Sequence, residues 1–377
     1  MRKVTILTGK RGGFGAMLGI MQLLDRDPEM AFELIVTDMH LSKQFGETVK
    51  EVEKWFSVAH KLDLMQQGDS GAERAHALAR CLDQMVNVLQ SSRPDMLLLL
   101  GDRGEVLSAA IAAFELNVPV AHILGGDVAG NRDGNRIHAI TKLAHVHFPS
   151  SKDAYERILK LGEEPWRVHN FGATYVDFIV QKKYTPNAVV REKYHLGDQP
   201  YLLLLQHPMT LQEEGSYQEA KAVLEAAKHT GLQTLVIYPC SDQGYAGTLK
   251  AIDEYRETPA FQIHKNIEAM DFWGLQEEAE CLLGNSSSGL MEAPYFNLPT
   301  VNVGQRQRGR LRDENVIDVE PDTQKILQAI EQTRAHDFRT HLTNHFLFGD
   351  GHASERIVHV LKTVPLDESL RQKSITY

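Results

Sequence analysis

The sequence predicts an α/β protein with two Rossmann-like domains in succession and a cleft between them. Short, almost wholly apolar runs alternate with longer amphipathic stretches, as strands and helices do in a parallel sheet covered on both faces. The β-α-β order further requires right-handed crossovers and a doubly wound layer. The chain has 377 residues, enough for about two domains of roughly 100–200 residues each.

The elements follow one another in two rounds, separated by the polar stretch Gln181–Gln199. In the first half, the predicted strands are Val4–Leu7, Phe32–Val36, Met96–Leu100 and Val118–Leu124, with helices such as Ala72–Leu89 and Val106–Leu116. In the second half, they are Tyr201–Leu205, Leu235–Tyr238, Cys281–Leu283 and Thr300–Val303. Ligands of such sheets bind outside the carboxyl ends of the strands, so the loops after strands are the candidate sites.

The composition excludes several classes of protein. Acidic residues number 50 and basic residues 40, giving a formal charge of −10; this repels a phosphate backbone, so we expect no nucleic-acid partner. The three cysteines are far apart and form no CxxC, which argues against a disulfide framework or a zinc site. No run approaches about 18 apolar residues, and the apolar run near the N-terminus is too short for a signal peptide. We expect a cytoplasmic protein without membrane contact.

The loop after the first strand is rich in glycine and positive charge. Thr8–Gly15 contains Lys10 and Arg11 and runs into an apolar helix. Glycine allows close backbone approach, and a helix N-terminus offers free N–H groups. The spacing is neither the dinucleotide fingerprint nor a P-loop. Contact of Arg11 with a phosphate or substrate is one interpretation, and a tight turn that needs glycine is the other.

Three carboxylates are predicted at one edge of the first sheet. Asp102 follows the strand Met96–Leu100, Asp127 follows the next strand, and Asp133 lies a little further on. Such a group suits general acid–base chemistry or a magnesium site, although Asp102 could also cap a helix. His138 follows on a predicted helix, where a lone histidine is more often structural.

Polar side chains also follow the strands of the second half. His207 comes directly after Tyr201–Leu205 and could titrate near neutral pH. The strand Cys281–Leu283 leads into Asn285–Gly289, whose serines could bind a diphosphate or simply cap a helix. Glu292, one turn beyond, could accept a hydrogen bond from a ribose hydroxyl.

The loop after the last strand of the second half carries three arginines. They are Arg306, Arg308 and Arg310. They suit an anionic ligand, or they form a solvated basic loop.

Taken together, these segments resemble the hydrolysing UDP-N-acetylglucosamine 2-epimerases, including the enzymes of sialic-acid and legionaminic-acid biosynthesis. The match is collinear over nearly the whole chain. Its motifs are GDR at 101–103, GG-acid at 125–127, HAITKLAH at 138–145, LQHP at 205–208, GNSSSG at 284–289 and GxRQxGR at 304–310. Each motif alone is weak evidence for this family, but the order and spacing of all of them together are specific to it.

The resemblance implies a glycosyltransferase-B fold with a UDP-sugar in the cleft. Residues 1–180 would form the sugar side and residues 200–350 the UDP side, with a helix near Ala353–Thr363, in the segment 351–377, packing back toward the first domain. The implied reaction is anti elimination of UDP to a 2-acetamidoglucal, followed by water addition that releases a free sugar of the N-acetylmannosamine type. The resemblance implies no metal or other cofactor, and it implies a homodimer or homotetramer.

The matching motif positions also imply individual roles. Asp102, Asp127, Asp133 and His207 would be catalytic. The substrate contacts would be Arg11, His138, Ser286, Ser287, Ser288, Gly289, Glu292, Arg306 and Arg310.

Four positions depart from the family's usual pattern, all in the first half. Gly13 and Gly134 each stand where an acid is usual, Asp127 replaces a glutamate, and Ile137 replaces the arginine before His138. We therefore expect a modified sugar, such as a diacetamido trideoxy hexose, rather than plain N-acetylglucosamine. The alternatives are a glycosyltransferase or nucleotide-sugar hydrolase on the same scaffold, and a non-catalytic UDP-sugar binding protein.

Overall fold

The computed structural model describes residues 1–130, 132–209 and 215–377, and the chain folds into two compact units. The first unit comprises Met1–Val128, Arg132–Gln181 and Phe348–Tyr377, and the second comprises Ala129–Asn131 and Lys182–Leu347. Within the described residues, each unit contains one parallel sheet of six strands. The predicted α/β class with two Rossmann-like halves is confirmed. The assignment of a sugar side and a UDP side stays a prediction.

The two sheets share one topology. The strands are β1 (Arg2–Thr8), β2 (Met30–Thr37), β3 (His60–Leu62), β4 (Met96–Leu100), β5 (Val120–Ile123), β6 (Val146–Phe148), β7 (Tyr201–Leu205), β8 (Gln233–Ile237), β9 (Phe261–His264), β10 (Cys281–Gly284), β11 (Thr300–Val303) and β12 (Val316–Val319). Their order is β3-β2-β1-β4-β5-β6 in the first unit and β12-β11-β10-β7-β8-β9 in the second. The order reverses between β1 and β4 and between β10 and β7, where doubly wound sheets bind their ligands.

Helices connect the parallel strands. They are α1 (Arg11–Arg26), α2 (Val49–Val52), α3 (Gly71–Ser92), α4 (Gly104–Glu115), α5 (Asp133–Leu143), α6 (Lys152–Lys160), α7 (Val176–Val180), α8 (Asn187–Lys193), α9 (Gly215–His229), α10 (Tyr245–Glu254), α11 (Ala269–Gln276), α12 (Ser288–Met291), α13 (Thr323–Arg334), α14 (His336–His341), α15 (Ala353–Thr363) and α16 (Glu368–Arg371). None of the helices in the described ranges is long and apolar enough to cross a membrane.

The central strands are apolar on both faces because helices cover both sides. In β4, Leu97 and Leu99 pack with Met85 of α3 and Ala109 of α4. In β7, every residue is buried, and Leu202 and Leu204 pack against α9 and α13. The sheets are thus rigid frames that hold the loops at their carboxyl ends.

Two features differ from the sequence prediction. The outer strands β3, β6, β9 and β12, which form the edges of the two sheets, were not predicted. The polar stretch Gln181–Gln199 contains the helix α8, whose Asn187 side chain is buried and donates to the carbonyl of Gly274 at 2.8 Å. The helix α15 matches the predicted residues and packs against α1.

Candidate active site

The first unit gathers its predicted site residues at the carboxyl ends of β1, β4 and β5. Arg11 begins α1 after β1, Asp102 follows β4, and Asp127 follows β5. These strands are neighbours and parallel, so their loops lie at one edge of the sheet.

Asp102 lies in the turn between β4 and α4. The N-cap position of α4 is Arg103, and it makes no side-chain capping bond, so the alternative that Asp102 caps this helix is wrong. Asp102 is half-buried and makes no hydrogen bond or ion pair with another described residue. The peptide before it is fixed, because His122 Nε2 donates to the carbonyl of Gly101 at 2.7 Å. Burial lowers the pKa of His122 to about 4, so this histidine is neutral at pH 7.

A buried ionic network supports the same loops. Arg103 donates to Asp38 at 2.7 Å and to Glu105 at 2.7 Å, and Arg74 contacts the same two carboxylates at 3.1 and 2.6 Å. Two guanidinium groups thus balance two carboxylates. A Cβ placed on Gly9 would lie 2.4 Å from Oε1 of Glu105, so the loop after β1 needs glycine here because the network packs against its backbone.

The other two acids are more buried than Asp102. Asp127 is 6% exposed and follows Gly126, which has φ +82° and whose Cβ would lie 2.4 Å from the carbonyl of Ala154. Asp133 begins α5 and pairs with Arg136 at 2.8 Å. The turn after β5 therefore requires glycine, and α5 supplies a cation to Asp133.

The surroundings of Ile137 and His138 show how the chain accommodates isoleucine where the family usually has arginine. Ile137 is 2% exposed and lies in the core, whereas Arg136, one residue earlier, turns to Asp133. His138 is half-buried and its Nδ1 is buried without a hydrogen-bond partner in the described part of the chain. Burial and the nearby Arg157 lower the pKa of His138, which favours the neutral ring.

The magnesium alternative for the three acids gains no support from the geometry. Among residues 1–130, 132–209 and 215–377, no three His, Cys, Asp or Glu side chains lie close enough to share a metal ion.

In the second unit, β7 and β10 bring His207 and Asn285 together. Leu205 and Gly284 are paired in the sheet, and each strand continues into its site loop. The side chain of Asn285 is completely buried; it accepts from the N–H of His207 at 2.7 Å and donates to its carbonyl at 2.9 Å. On the other side, the N–H of Cys240, after β8, donates to Nδ1 of His207 at 3.1 Å.

The serine turn after β10 leads directly into α12. Ser287 occupies the N-cap position but makes no side-chain capping bond, so capping does not explain its hydroxyl. The Ser286 hydroxyl instead accepts from the N–H of Ser288 at 3.3 Å. Gly289 is buried against β11, where its Cβ would lie 2.4 Å from the Thr300 methyl group.

Glu292 is held by three donors. Its Oε1 accepts from the Ser288 hydroxyl at 3.0 Å, and its Oε2 accepts from Trp273 Nε1 at 2.8 Å and Gln276 Nε2 at 3.3 Å. The carboxylate is therefore fixed in orientation at the end of the serine turn.

The arginine loop after β11 is tied to the same turn. Arg306 Nη1 and Gln307 Nε2 both donate to the carbonyl of Asn285, at 3.1 and 2.8 Å. Arg310 in turn donates to Oε1 of Gln307 at 3.0 Å. The structure thus joins Arg306 and Arg310 to the serine turn, while Arg308 is exposed.

Sequence reasoning did not assign roles to several residues that position this cluster. They are Asn285, Gln307, Trp273, Gln276 and the backbone of Cys240. Asn285 and Gln307 lie inside recognised motifs, so their motif membership was an available signal. Trp273 and Gln276 lie on α11, and no local pattern links that helix to Glu292.

Comparison of the sequence with known protein families identifies the family of this chain. Residues 22–362 match the sequence pattern of the UDP-N-acetylglucosamine 2-epimerases. The chain belongs to that family. The predicted type of enzyme, a hydrolysing UDP-sugar 2-epimerase, is confirmed at this level of description.

Individual relatives give more detail. The chain is 34% identical over 379 residues, covering 100% of both chains, to a hydrolysing UDP-N,N'-diacetylbacillosamine 2-epimerase of Legionella pneumophila. It is 28% identical to a hydrolysing GDP/UDP-N,N'-diacetylbacillosamine 2-epimerase of Campylobacter jejuni, over 90% of this chain and 89% of the relative. The fold is similar to that of Methanocaldococcus jannaschii UDP-GlcNAc 2-epimerase in complex with UDP-GlcNAc and UDP, with a TM-score of 0.79, 20% identity, and coverage of 95% of this chain and 99% of that chain.

Proposed function

We propose that the substrate is a UDP-2,4-diacetamido-2,4,6-trideoxy hexose of the N,N'-diacetylbacillosamine type. The products would be UDP and the free sugar inverted at C2. The observation that carries this proposal is the end-to-end similarity to the Legionella pneumophila enzyme, at 34% identity.

The altered positions of the first unit support a modified sugar. A Cβ at Gly13 would have no neighbour closer than 3.7 Å, so packing does not require glycine there, and glycine in a helix costs about 0.5–1 kcal/mol. Ile137 is an apolar core residue where the family usually has arginine. Both changes remove hydrogen-bonding groups that a more hydroxylated sugar would satisfy, and an unpaired polar group costs roughly 1–3 kcal/mol.

The carboxylates of the first unit supply the proton transfers. A base removes the proton from C2, the C1–O bond to UDP breaks, and a C1–C2 double bond forms. Water then adds its hydroxyl to C1, and a proton returns to C2 from the opposite face. We assign these transfers to Asp102, Asp127 and Asp133, whose carboxylates follow β4 and β5 at one edge of the sheet.

The second unit supplies the nucleotide contacts. Backbone N–H groups and hydroxyls of 286–289 are suited to a diphosphate, and the fixed carboxylate of Glu292 is suited to accept from a ribose hydroxyl. Arg306, Arg310 and His207 would stabilise the charge that develops on departing UDP. In the first unit, Arg11 would contact the substrate. His138 would contact the sugar as a neutral ring.

The test is product analysis in deuterium oxide with a matched pair of substrates. UDP-N,N'-diacetylbacillosamine and UDP-N-acetylglucosamine are incubated separately, and the products are followed by NMR. We expect UDP, an inverted free sugar with deuterium at C2, and a higher kcat/KM for the diacetamido sugar. A kcat/KM for the plain sugar equal to or above that of the diacetamido sugar would refute the substrate assignment. Retained configuration at C2 would indicate a hydrolase, dependence on an acceptor would indicate a transferase, and binding without turnover would indicate a sensor.

A further inference from the structure

A cavity of about 300 Å³ lies at the carboxyl ends of β11 and β12 in the second unit. Its volume is that of a site for a small molecule, and this edge of a parallel sheet is where such folds bind ligands. The residues proposed to contact UDP are not part of its wall. The wall includes Asn302, Gln305, Arg308, Gly309, Asp318 and Glu320.

Asn302 gives the cavity a hydrogen-bond acceptor that has no donor. The residue is 2% exposed, and its Nδ2 donates to Oδ1 of Asp318 at 2.7 Å. This contact fixes the orientation of the amide, because the reverse orientation would place its oxygen against a carboxylate. Oδ1 of Asn302 is then buried without a hydrogen-bond partner among the residues that the structure describes. An O–H or N–H group of a ligand would satisfy it.

Arg308 gives the same cavity a positive charge. Whereas Arg306 and Arg310 are tied to the serine turn, the side chain of Arg308 is exposed and pairs with no other residue in the described ranges. The N–H of the next residue, Gly309, also has no acceptor in this part of the chain. A guanidinium group followed by a backbone N–H is suited to the oxygens of an anion.

The acidic residues of the wall are already neutralised by other cations. Asp318 pairs with Arg312, and Glu320 pairs with Lys325 at 2.5 Å. Because the charges of these two ion pairs cancel, the charge of Arg308 is in excess. The cavity therefore favours an anionic ligand.

We propose that this cavity is a second ligand site, separate from the nucleotide site, and that it binds a hydroxylated phosphate monoester of the size of a small sugar phosphate. Two phosphate oxygens would accept from the guanidinium fork of Arg308, and the third would accept from the N–H of Gly309. A hydroxyl of the same molecule would donate to Oδ1 of Asn302. The proposal goes beyond the proposed function and does not depend on it.

The first experiment compares two phosphate monoesters of similar size on the full chain. Glycerol 3-phosphate has hydroxyls beside its phosphate, whereas propyl phosphate has none. Calorimetry in the presence of saturating UDP should show that glycerol 3-phosphate binds about tenfold more tightly, the effect of one well-placed hydrogen bond. Equal affinities for the two esters, or binding of neither, would overturn the proposal.

The second experiment tests the charge of Arg308. Arg308→Gln should weaken the binding of both esters at least about tenfold, since it removes a charge-assisted hydrogen bond, and it should leave UDP affinity unchanged. The control is Arg334→Gln, because Arg334 is also exposed in the second unit but ends α13, outside the cavity. Equal effects of the two substitutions would show that the esters respond only to the net charge of the protein, and the proposal would fall.

The third experiment tests the acceptor on Asn302. Asn302→Ala should abolish the preference for glycerol 3-phosphate over propyl phosphate. Asn315→Ala is the matched control, because Asn315 is also buried, at 3% exposure, but does not line the cavity; it should keep the preference. Thermal unfolding shows whether both variants are folded, and if they are not, the comparison of the two esters on the wild-type chain still decides. A preference that persists in folded Asn302→Ala would contradict the assigned contact.

Competition with UDP separates this proposal from the proposed function. If UDP displaces glycerol 3-phosphate, the ester occupies the nucleotide site and the second site falls. If no UDP-sugar is turned over, the proposed function fails, while titration with the two esters still decides whether the cavity binds them.

Discussion

At the scale of single residues, Asp102 is the strongest candidate for a proton-transfer group. It is half-buried and has no protein partner in the described ranges, whereas Asp133 is paired with Arg136. An unpaired carboxylate at a strand end can approach a substrate without first breaking an ion pair. The structure therefore ranks the predicted acids, which the sequence could place only at the same edge of the sheet.

We expect Asp102→Asn to lower kcat by about 10²–10⁴-fold, since an amide cannot accept the C2 proton. UDP affinity should change little, because the proposed nucleotide contacts are residues of the second unit. The matched control is Asp95→Asn at the opposite end of the same strand, where Asp95 accepts from the N–H of Lys3 at 2.8 Å. Steady-state kinetics and UDP calorimetry check both. Near-normal kcat in Asp102→Asn would show that Asp102 has a structural role in its loop and does not transfer a proton.

The serine turn allows a second prediction at the residue scale. Ser287→Glu should weaken UDP binding at least about 100-fold, because a carboxylate would face the diphosphate and like charges in contact cost several kcal/mol. The fold should tolerate the change, since the Ser287 hydroxyl makes no capping bond. Ser70→Glu is the control, at the N-cap of α3 in the first unit. Unchanged UDP affinity in Ser287→Glu, measured by calorimetry, would remove the turn from the nucleotide site.

At the scale of elements, the sequence predicted what apolar length and periodicity determine. β4 and β7 are five-residue apolar runs, as expected of strands buried on both faces. β3 has the sequence His-Lys-Leu and β12 the sequence Val-Ile-Asp-Val. Each lies at an edge of its sheet and is not buried on both faces, so neither has the continuous apolar run that predicts a central strand. Their pairing depends on neighbouring strands that are distant in the chain.

The same limit applies to the candidate site. The motifs predicted which loops carry chemistry, because loops after parallel strands share one edge. They did not predict the partners that orient each group, such as Trp273 for Glu292 or Asp38 for Arg103. Those contacts join elements separated by 19 and 65 residues, and no local pattern records them.

The ionic network of the first unit leads to a prediction about stability. Burial raises the pKa of Glu105, but Arg103 and Arg74 outweigh it and hold that pKa well below its usual value. A folded pKa below the unfolded one means that the stabilisation is complete at neutral pH. It is lost as the pH falls below about 4.3, the ordinary glutamate value, toward the folded pKa.

Glu105→Gln should therefore destabilise the first unit by about 3–5 kcal/mol at pH 7, because it leaves buried guanidinium charge unpaired. The difference from wild type should shrink as the pH falls below 4. Denaturant unfolding at several pH values measures both effects. Glu47→Gln, which breaks a solvent-exposed pair with Lys50, is the control and should show no measurable change. Equal stability of Glu105→Gln and wild type at pH 7 would contradict the network's role.

At the scale of the whole molecule, the proposed mechanism assigns no role to a metal ion. The charge that develops on UDP would be balanced by arginines and backbone N–H groups. We expect kcat to survive prolonged treatment with excess EDTA, measured on a sample whose metal content is determined by mass spectrometry. If activity is lost and added Mg²⁺ restores it, the acids of the first unit are metal ligands.

The chain also returns at its end to the first unit, which contains both termini. Arg167 has no exposed surface and donates to the backbone carbonyls of Ser369, Leu370 and Gln372 at 2.6–2.8 Å. Lys373 pairs with the buried Glu163 at 2.7 Å. The last residues thus neutralise and cover charges that lie in the core of the first unit.

A chain that ends at Thr363 should therefore lose about 3–5 kcal/mol of stability in the first unit, since Arg167 loses three backbone acceptors and the buried Glu163 loses its pair with Lys373. Hydrogen exchange with mass spectrometry resolves the effect by region. Protection of β6 and α5 should fall, whereas protection of β7 in the second unit should be unchanged. Arg371→Ala, at an exposed position of the same segment, should leave both unaltered. If the shortened chain keeps full protection of β6, the C-terminal segment is an attachment that the first unit does not need, and the acceptors of Arg167 must be replaceable by water.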